Sequence, residues 1–241
     1  SRRNDALAEF RLAVQCAPDN AEARLRLGTL LVELKMLDEA ATQFEWLAQR
    51  DPDSPAVRLG LARCRYATGR KDEAAAILDK LLQEQPADGG ALALRGLIEL
   101  DSGHNADAER WLREAVKHPP TDVDVLYNLE RSLTNQGKAA EAAAVKKRRE
   151  ATEAALKEIA KLMNQIAKTP SDPELLRQVA ELMMDNGLGV EGKRWLELAI
   201  RRDPRHAKSY LTMAQYYEGI GDFPAAKTCR DRAKFLAAQP K

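Results

Sequence analysis

Apolar residues recur along this chain at helical spacing, broken by short polar turns. Leu27, Leu30, Leu31 and Leu34 share one helical face, a turn follows, and Ala40, Phe44, Leu47 and Ala48 form a second face. The pattern predicts two antiparallel helices per unit and no strand. Pro18, Pro52, Pro86 and Pro120 lie 34 residues apart and mark the ends of successive units, and the stretch from Pro173 to Pro204 fits the same unit in a second register. Gly69, Gly103, Gly137, Gly187 and Gly221 recur where the first helix of a pair must stop, a position suited to a left-handed backbone. Between units, Asp51, Pro52, Asp53 and Ser54 supply both a stop and an N-cap for the next helix.

Small residues keep step with this period. Counting Ala21 as the first place of a unit, the eighth place holds Gly28, Ala62, Gly96 and Glu130, then Ala180 and Ala214. The twentieth holds Ala40, Ala74, Ala108 and Ala142, then Gly192 and Ala226, with Ala6 in an incomplete unit before them. Small side chains at those places let two helices approach closely.

The small places, the glycine turns, the Asp-Glu-Ala runs at 38–40 and 72–74 and the closing prolines resemble the tetratricopeptide repeat family over nearly the whole chain. The resemblance implies an all-α, right-handed solenoid of antiparallel helix pairs whose first helices line a concave groove that takes a protein or peptide. By that resemblance Leu59, Arg63, Tyr66, Leu97, Tyr127, Arg131 and Asn135 face the groove, with Leu25, Thr29, Val32 and Asp101 among their neighbours. The lysine by which some members grip a C-terminal carboxylate is missing, because Leu25, Leu59 and Ala93 stand at its place.

The period breaks once. Val123 opens the fourth full unit and Pro173 the fifth, 50 residues later instead of 34. Residues 138–168 contain neither Gly nor Pro and are rich in Ala, Glu, Lys and Leu, so they read as one long inserted helix. Its apolar stripe runs through Ala155, Leu156, Ile159, Leu162, Met163 and Ile166, after the basic run Lys146, Lys147, Arg148 and Arg149. The predicted organisation is an incomplete repeat at 1–20 (second helix only), three full repeats and the first helix of a fourth at 21–137, the long basic and amphipathic helix at 138–168, and two repeats with a cap at 169–241. Phe10 and its neighbours lack a first helix to pack on, which predicts further helices or a partner chain at that end.

Charge and chemistry narrow the function. Lys and Arg total 38 against 37 Asp and Glu, and no broad basic field for nucleic acid arises, although 138–168 carries eight basic against four acidic residues. No apolar run approaches the ~18 residues of a membrane span, so the chain reads as soluble, cytoplasmic or periplasmic. Cys16, Cys64 and Cys229 form no C-x-x-C pair, and His104, His118 and His206 lie in different units without a second ligand at helical spacing, so neither metal nor cofactor is implied. Glycines stand singly at turns and make no phosphate loop. Arg65, Arg95, Glu99 and Glu130 occupy places where the repeat wants Leu, Tyr or Gly. They predict an ion-pair network across the second to fourth units, or alternatively a polarised groove floor. Together these features point to a non-catalytic scaffold that organises an assembly. The alternative is the substrate-recruiting region of a larger enzyme.

Overall fold

The computed structural model describes residues 2–118 and 122–238, so Pro120 of the proline series and the terminal Gln239, Pro240 and Lys241 lie outside the described residues. Within them are thirteen helices and no strand. The fold is an all-α solenoid of antiparallel helix pairs with one long inserted helix. It divides into two units, Ser1–His118 with Asn128–Ala139, and Pro119–Tyr127 with Ala140–Lys241.

In the first unit, α1 (Arg2–Cys16) precedes the pairs α2 (Ala21–Glu33) with α3 (Leu37–Ala48), α4 (Pro55–Ala67) with α5 (Lys71–Glu84), and α6 (Gly89–Asp101) with α7 (Asn105–Ala115). Each first helix also packs on the next first helix, α2 on α4 and α4 on α6. Much of α8 (Val123–Asn135) belongs here as well. The second unit holds most of α9 (Ala139–Ile166) and the pairs α10 (Pro173–Asp185) with α11 (Gly189–Arg202), and α12 (Ala207–Gly219) with α13 (Phe223–Ala237). At ~1.5 Å per residue the 28 residues of α9 extend about 42 Å. Its apolar stripe is only partly covered: Leu162 is buried, whereas Leu156 and Met163 are exposed.

The turn glycines adopt the left-handed backbone, with φ between 73° and 83°. In each such turn the next residue's N–H reaches back to a carbonyl five positions earlier, as Arg70 does to Arg65 (2.8 Å) and Asp222 to Tyr217 (2.8 Å). This satisfies a carbonyl that the helix end would leave orphaned. The first full pair closes identically, Met36 N–H donating to Leu31 at 2.9 Å, but the left-handed residue there is Lys35, at φ 61°. Periodicity had marked only the glycines.

The N-caps need one correction. Asn20, Asp88, Asp172 and Asp222 accept hydrogen bonds from the backbone of the helix they start. Ser54 occupies a cap position with extended backbone, yet its side chain caps nothing. Arg58 holds that turn instead, donating from Nε to the Pro52 carbonyl (2.8 Å) and pairing with Asp53 and Glu84.

Phe44, 1% exposed, is the largest wholly buried side chain of the first pair. Its ring lies against two glycines on successive first helices: a methyl at Gly60 would fall 2.1 Å from a ring carbon, and one at Gly28 would fall 3.1 Å away. Gly192, the one twentieth-place residue that is not Ala, has an equally direct cause. A methyl there would sit 2.7 Å from the Ala180 carbonyl oxygen, so α10 and α11 cross too closely for any side chain.

Candidate functional site

The first helices of the first unit present a shallow pocket of about 180 Å³. Leu25, Thr29 and Val32 of α2 form one wall, and Leu59 and Arg63 of α4 the other. Phe44 and Gly60 also line it, so the absent side chain at Gly60 leaves room for the ring that α3 contributes. Leu59 is half-buried, and the exposed Arg63 guanidinium makes no ion pair, hydrogen bond or ring contact among the described residues. Two of the groove residues expected from the repeat pattern thus meet in a single concavity, one apolar and one cationic.

Further along the same unit, Tyr66 donates its hydroxyl hydrogen bond to the Asp101 carboxylate, which also faces Arg131 at 4.0 Å. The three side chains come from α4, α6 and α8 and link consecutive first helices. Burial, then the bond to Asp101, pushes the Tyr66 phenol up to about 12. Lys71 Nζ adds a bond to the Asp101 carbonyl at 3.0 Å. Tyr66 and Arg131 are therefore held by an acid that sequence pattern places beside them but does not single out.

The remaining expected groove residues are not among those lining that pocket. Asn135 donates to Asn105 Oδ1 of α7 at 2.9 Å. Leu97 is half-buried on α6. Tyr127, 49% exposed, lies in the second unit with the Arg149 guanidinium 5.9 Å from its ring centre.

Among the four charged residues at apolar places, Arg65 and Arg95 each take acids from second helices. Arg65 pairs with Glu45 of α3 (2.7 Å) and Glu73 of α5 (3.2 Å). Arg95 pairs with Glu99 one turn away and with Asp79 of α5 at 2.8 Å. Glu99 also contacts His104 Nδ1 at 2.7 Å; burial opposes its charge, but the bonds from His104 and Arg95 hold the carboxyl below its usual range. Glu130 is half-buried on α8. Helical periodicity reveals the i,i+4 pair and misses Glu45, Glu73 and Asp79, which reach these arginines from second helices.

Trp46, on α3, carries Arg24 and Arg50 over its ring at 4.1 and 3.5 Å from the centre, which covers it from within the chain. Among the described residues no group of three or more His, Cys, Asp or Glu is placed to hold a metal ion, and no helix is long and apolar enough to cross a membrane.

No curated protein matches the sequence. Among solved structures, Pseudomonas aeruginosa pilF is 16% identical, with 100% of this chain and 96% of that one covered and a TM-score of 0.48. A tetratricopeptide repeat protein from Parabacteroides merdae is 16% identical, covering 98% and 88%, at 0.47. YrrB, described as a TPR protein with an unusual peptide-binding site, is 16% identical, covering 80% and 91%, at 0.41. Three tetratricopeptide repeat models match residues 22–54, 43–98 and 94–157, which between them span more than half of the sequence. With the helix pairs, left-handed turns and small-residue crossings described above, the chain belongs to the tetratricopeptide repeat family.

Proposed function

We propose that this chain is a non-catalytic scaffold that binds a segment of a partner protein along the first helices of its first unit. The observation that carries this reading is the pocket of Leu25, Val32 and Leu59 with the unpaired Arg63 at its edge. Apolar area that is already concave costs little to desolvate further, and a guanidinium without an internal partner favours a ligand carboxylate over water alone. The segment that fits seats an aliphatic side chain against Leu59 and sets an acidic group beside Arg63. Tyr66, hydrogen-bonded to Asp101, and Arg131, facing the same carboxylate, extend the surface as a polar strip. Membership of a family whose first helices commonly take peptides supports the same reading.

Selection of a displayed peptide library on the full chain tests it. Enriched peptides should combine an aliphatic with an acidic residue, and Leu59→Ser and Arg63→Glu should each weaken them at least about tenfold, or ~1.4 kcal/mol. Selected peptides whose affinity ignores both substitutions would remove the site from this surface.

A further inference from the structure

The second unit contains a larger concavity, about 550 Å³, lined by α10, α12, the turn after α10 and the first residue of α11. Pockets of this size, ~300–1,000 Å³, are those in which proteins enclose ligands. Its apolar wall is Met184, Tyr216 and Ile220. Met184 and Tyr216 pack on the buried core of Ala180, Leu196 and Met213, so that wall is fixed, whereas Ile220 stays 60% exposed.

The polar side of the pocket has one sign. Glu181 and Asp185 line it, and no Lys, Arg or His does. Glu181 is bonded to Arg177 at 2.9 Å. Asp185 is exposed and has no ion pair or side-chain hydrogen bond among the described residues. The first unit's pocket is apolar with a free cation; this one is apolar with a free carboxylate. The two would select opposite ligands.

We infer that this concavity is a second peptide site, taking a partner segment in which a Lys or Arg is flanked by aliphatic residues. The ammonium or guanidinium would pair with Asp185, its methylene stem would lie along Tyr216, and a neighbouring aliphatic side chain would cover Met184 and Ile220. Charge complementarity chooses a basic segment over an acidic one, and the apolar wall chooses a peptide over a bare cation. The site shares no residue with the groove of the first unit, so either can fail without the other.

Fluorescence anisotropy on the full chain tests this with capped, labelled peptides built on a Leu-Lys-Leu core, against Leu-Glu-Leu and Ser-Lys-Ser controls. The first should bind, the third should bind at least about tenfold more weakly, and any binding of the second should be lost on Arg63→Glu and unmoved by Asp185→Asn. Asp185→Asn should raise the dissociation constant of the first peptide by about tenfold or more. Gly219→Lys should do the same, because the glycine lines the pocket, a side chain there meets open space, and the new ammonium competes for Asp185. Amide shifts on binding should cluster in α10 and α12. Unchanged melting temperatures establish that both variants remain folded, and Arg63→Glu should leave the affinity as it was. Failure of the Leu-Lys-Leu peptide to bind, weakening of the Leu-Glu-Leu peptide on Asp185→Asn, indifference of the Leu-Lys-Leu peptide to both pocket variants, or its loss on Arg63→Glu would each overturn the inference.

Discussion

Replacing Gly60 with alanine should destabilise the first unit, although alanine is the better helix former. In an exposed helix the exchange would gain ~1 kcal/mol. Here the new methyl carbon would lie 2.1, 2.4 and 2.5 Å from three ring carbons of Phe44, where carbon–carbon contact wants ~3.5–4.0 Å. The ring is 1% exposed, and on its other side Gly28 leaves only 3.1 Å between the ring and the place of a methyl. Relief therefore requires α3 to move from α4 or the ring to leave its rotamer, an overpacking cost of ~3 kcal/mol at the upper end of the usual range. The net loss should be about 2 kcal/mol, read as a lower urea midpoint by far-ultraviolet circular dichroism. Phe44→Leu should be costly alone and should cost less in the Gly60→Ala background, giving a coupling of ~1 kcal/mol or more in the double-mutant cycle. A Gly60→Ala midpoint at or above that of the wild type would refute the packing argument. Gly219→Ala is the control, with open space around its methyl and a small gain expected.

Lys35→Gly should stabilise the chain by ~1 kcal/mol in the same assay, because Lys35 holds a left-handed backbone that costs a side-chain-bearing residue about that much. Glu99→Ala should cost ~1–2 kcal/mol, short of the ~3–5 kcal/mol of an orphaned buried charge, since Arg95 keeps Asp79; a loss of the full amount would show that the two acids act as one unit. Glu109 has a carboxyl at about 2: burial opposes its charge, but bonds from Lys138, Arg113 and Gln136 prevail. Its folded value lies below the unfolded one of ~4.3, so its contribution is complete above that pH and is lost as pH falls toward 2. Glu109→Gln should remove ~2–3 kcal/mol near neutrality and flatten urea midpoints between pH 5 and 2; an unchanged acid slope would show that the network carries no such linkage.

Features that repeat with the period were legible in the sequence, and features that depend on which neighbour arrives sideways were not. Gly69 and its successors announce the turn because no other residue type takes that backbone as easily, while Lys35 takes it under constraint from the same hydrogen bonds. Gly60 escaped notice because it stands at the sixth place, outside the small-residue positions; only Phe44, arriving from another helix, gives it meaning. Arg95 and Glu99 could be paired from their spacing, whereas the partners of Arg65 could not. For the candidate site, repeat places brought Leu59 and Arg63 into view, but the shared Asp101 that holds Tyr66 and Arg131 is a property of side-chain direction. The pocket of the second unit was missed because the groove places were counted through the first register only, and the extra residues before Pro173 shift the count.

Within each unit, every helix pairing outlined above joins a helix to the next one along the chain or the next but one. Within either unit a nascent chain therefore need not wait for a distant segment. Once α4 and α5 have emerged, α2 and α3 already have the surface that covers Phe44, and α6 with α7, like α12 with α13 in the second unit, docks on a pair already formed. Such short-range topology lowers the loop-closure entropy that slows folding, and it limits the time for which apolar faces stand open to other chains. Synthesis and folding can thus advance together, one hairpin behind the other.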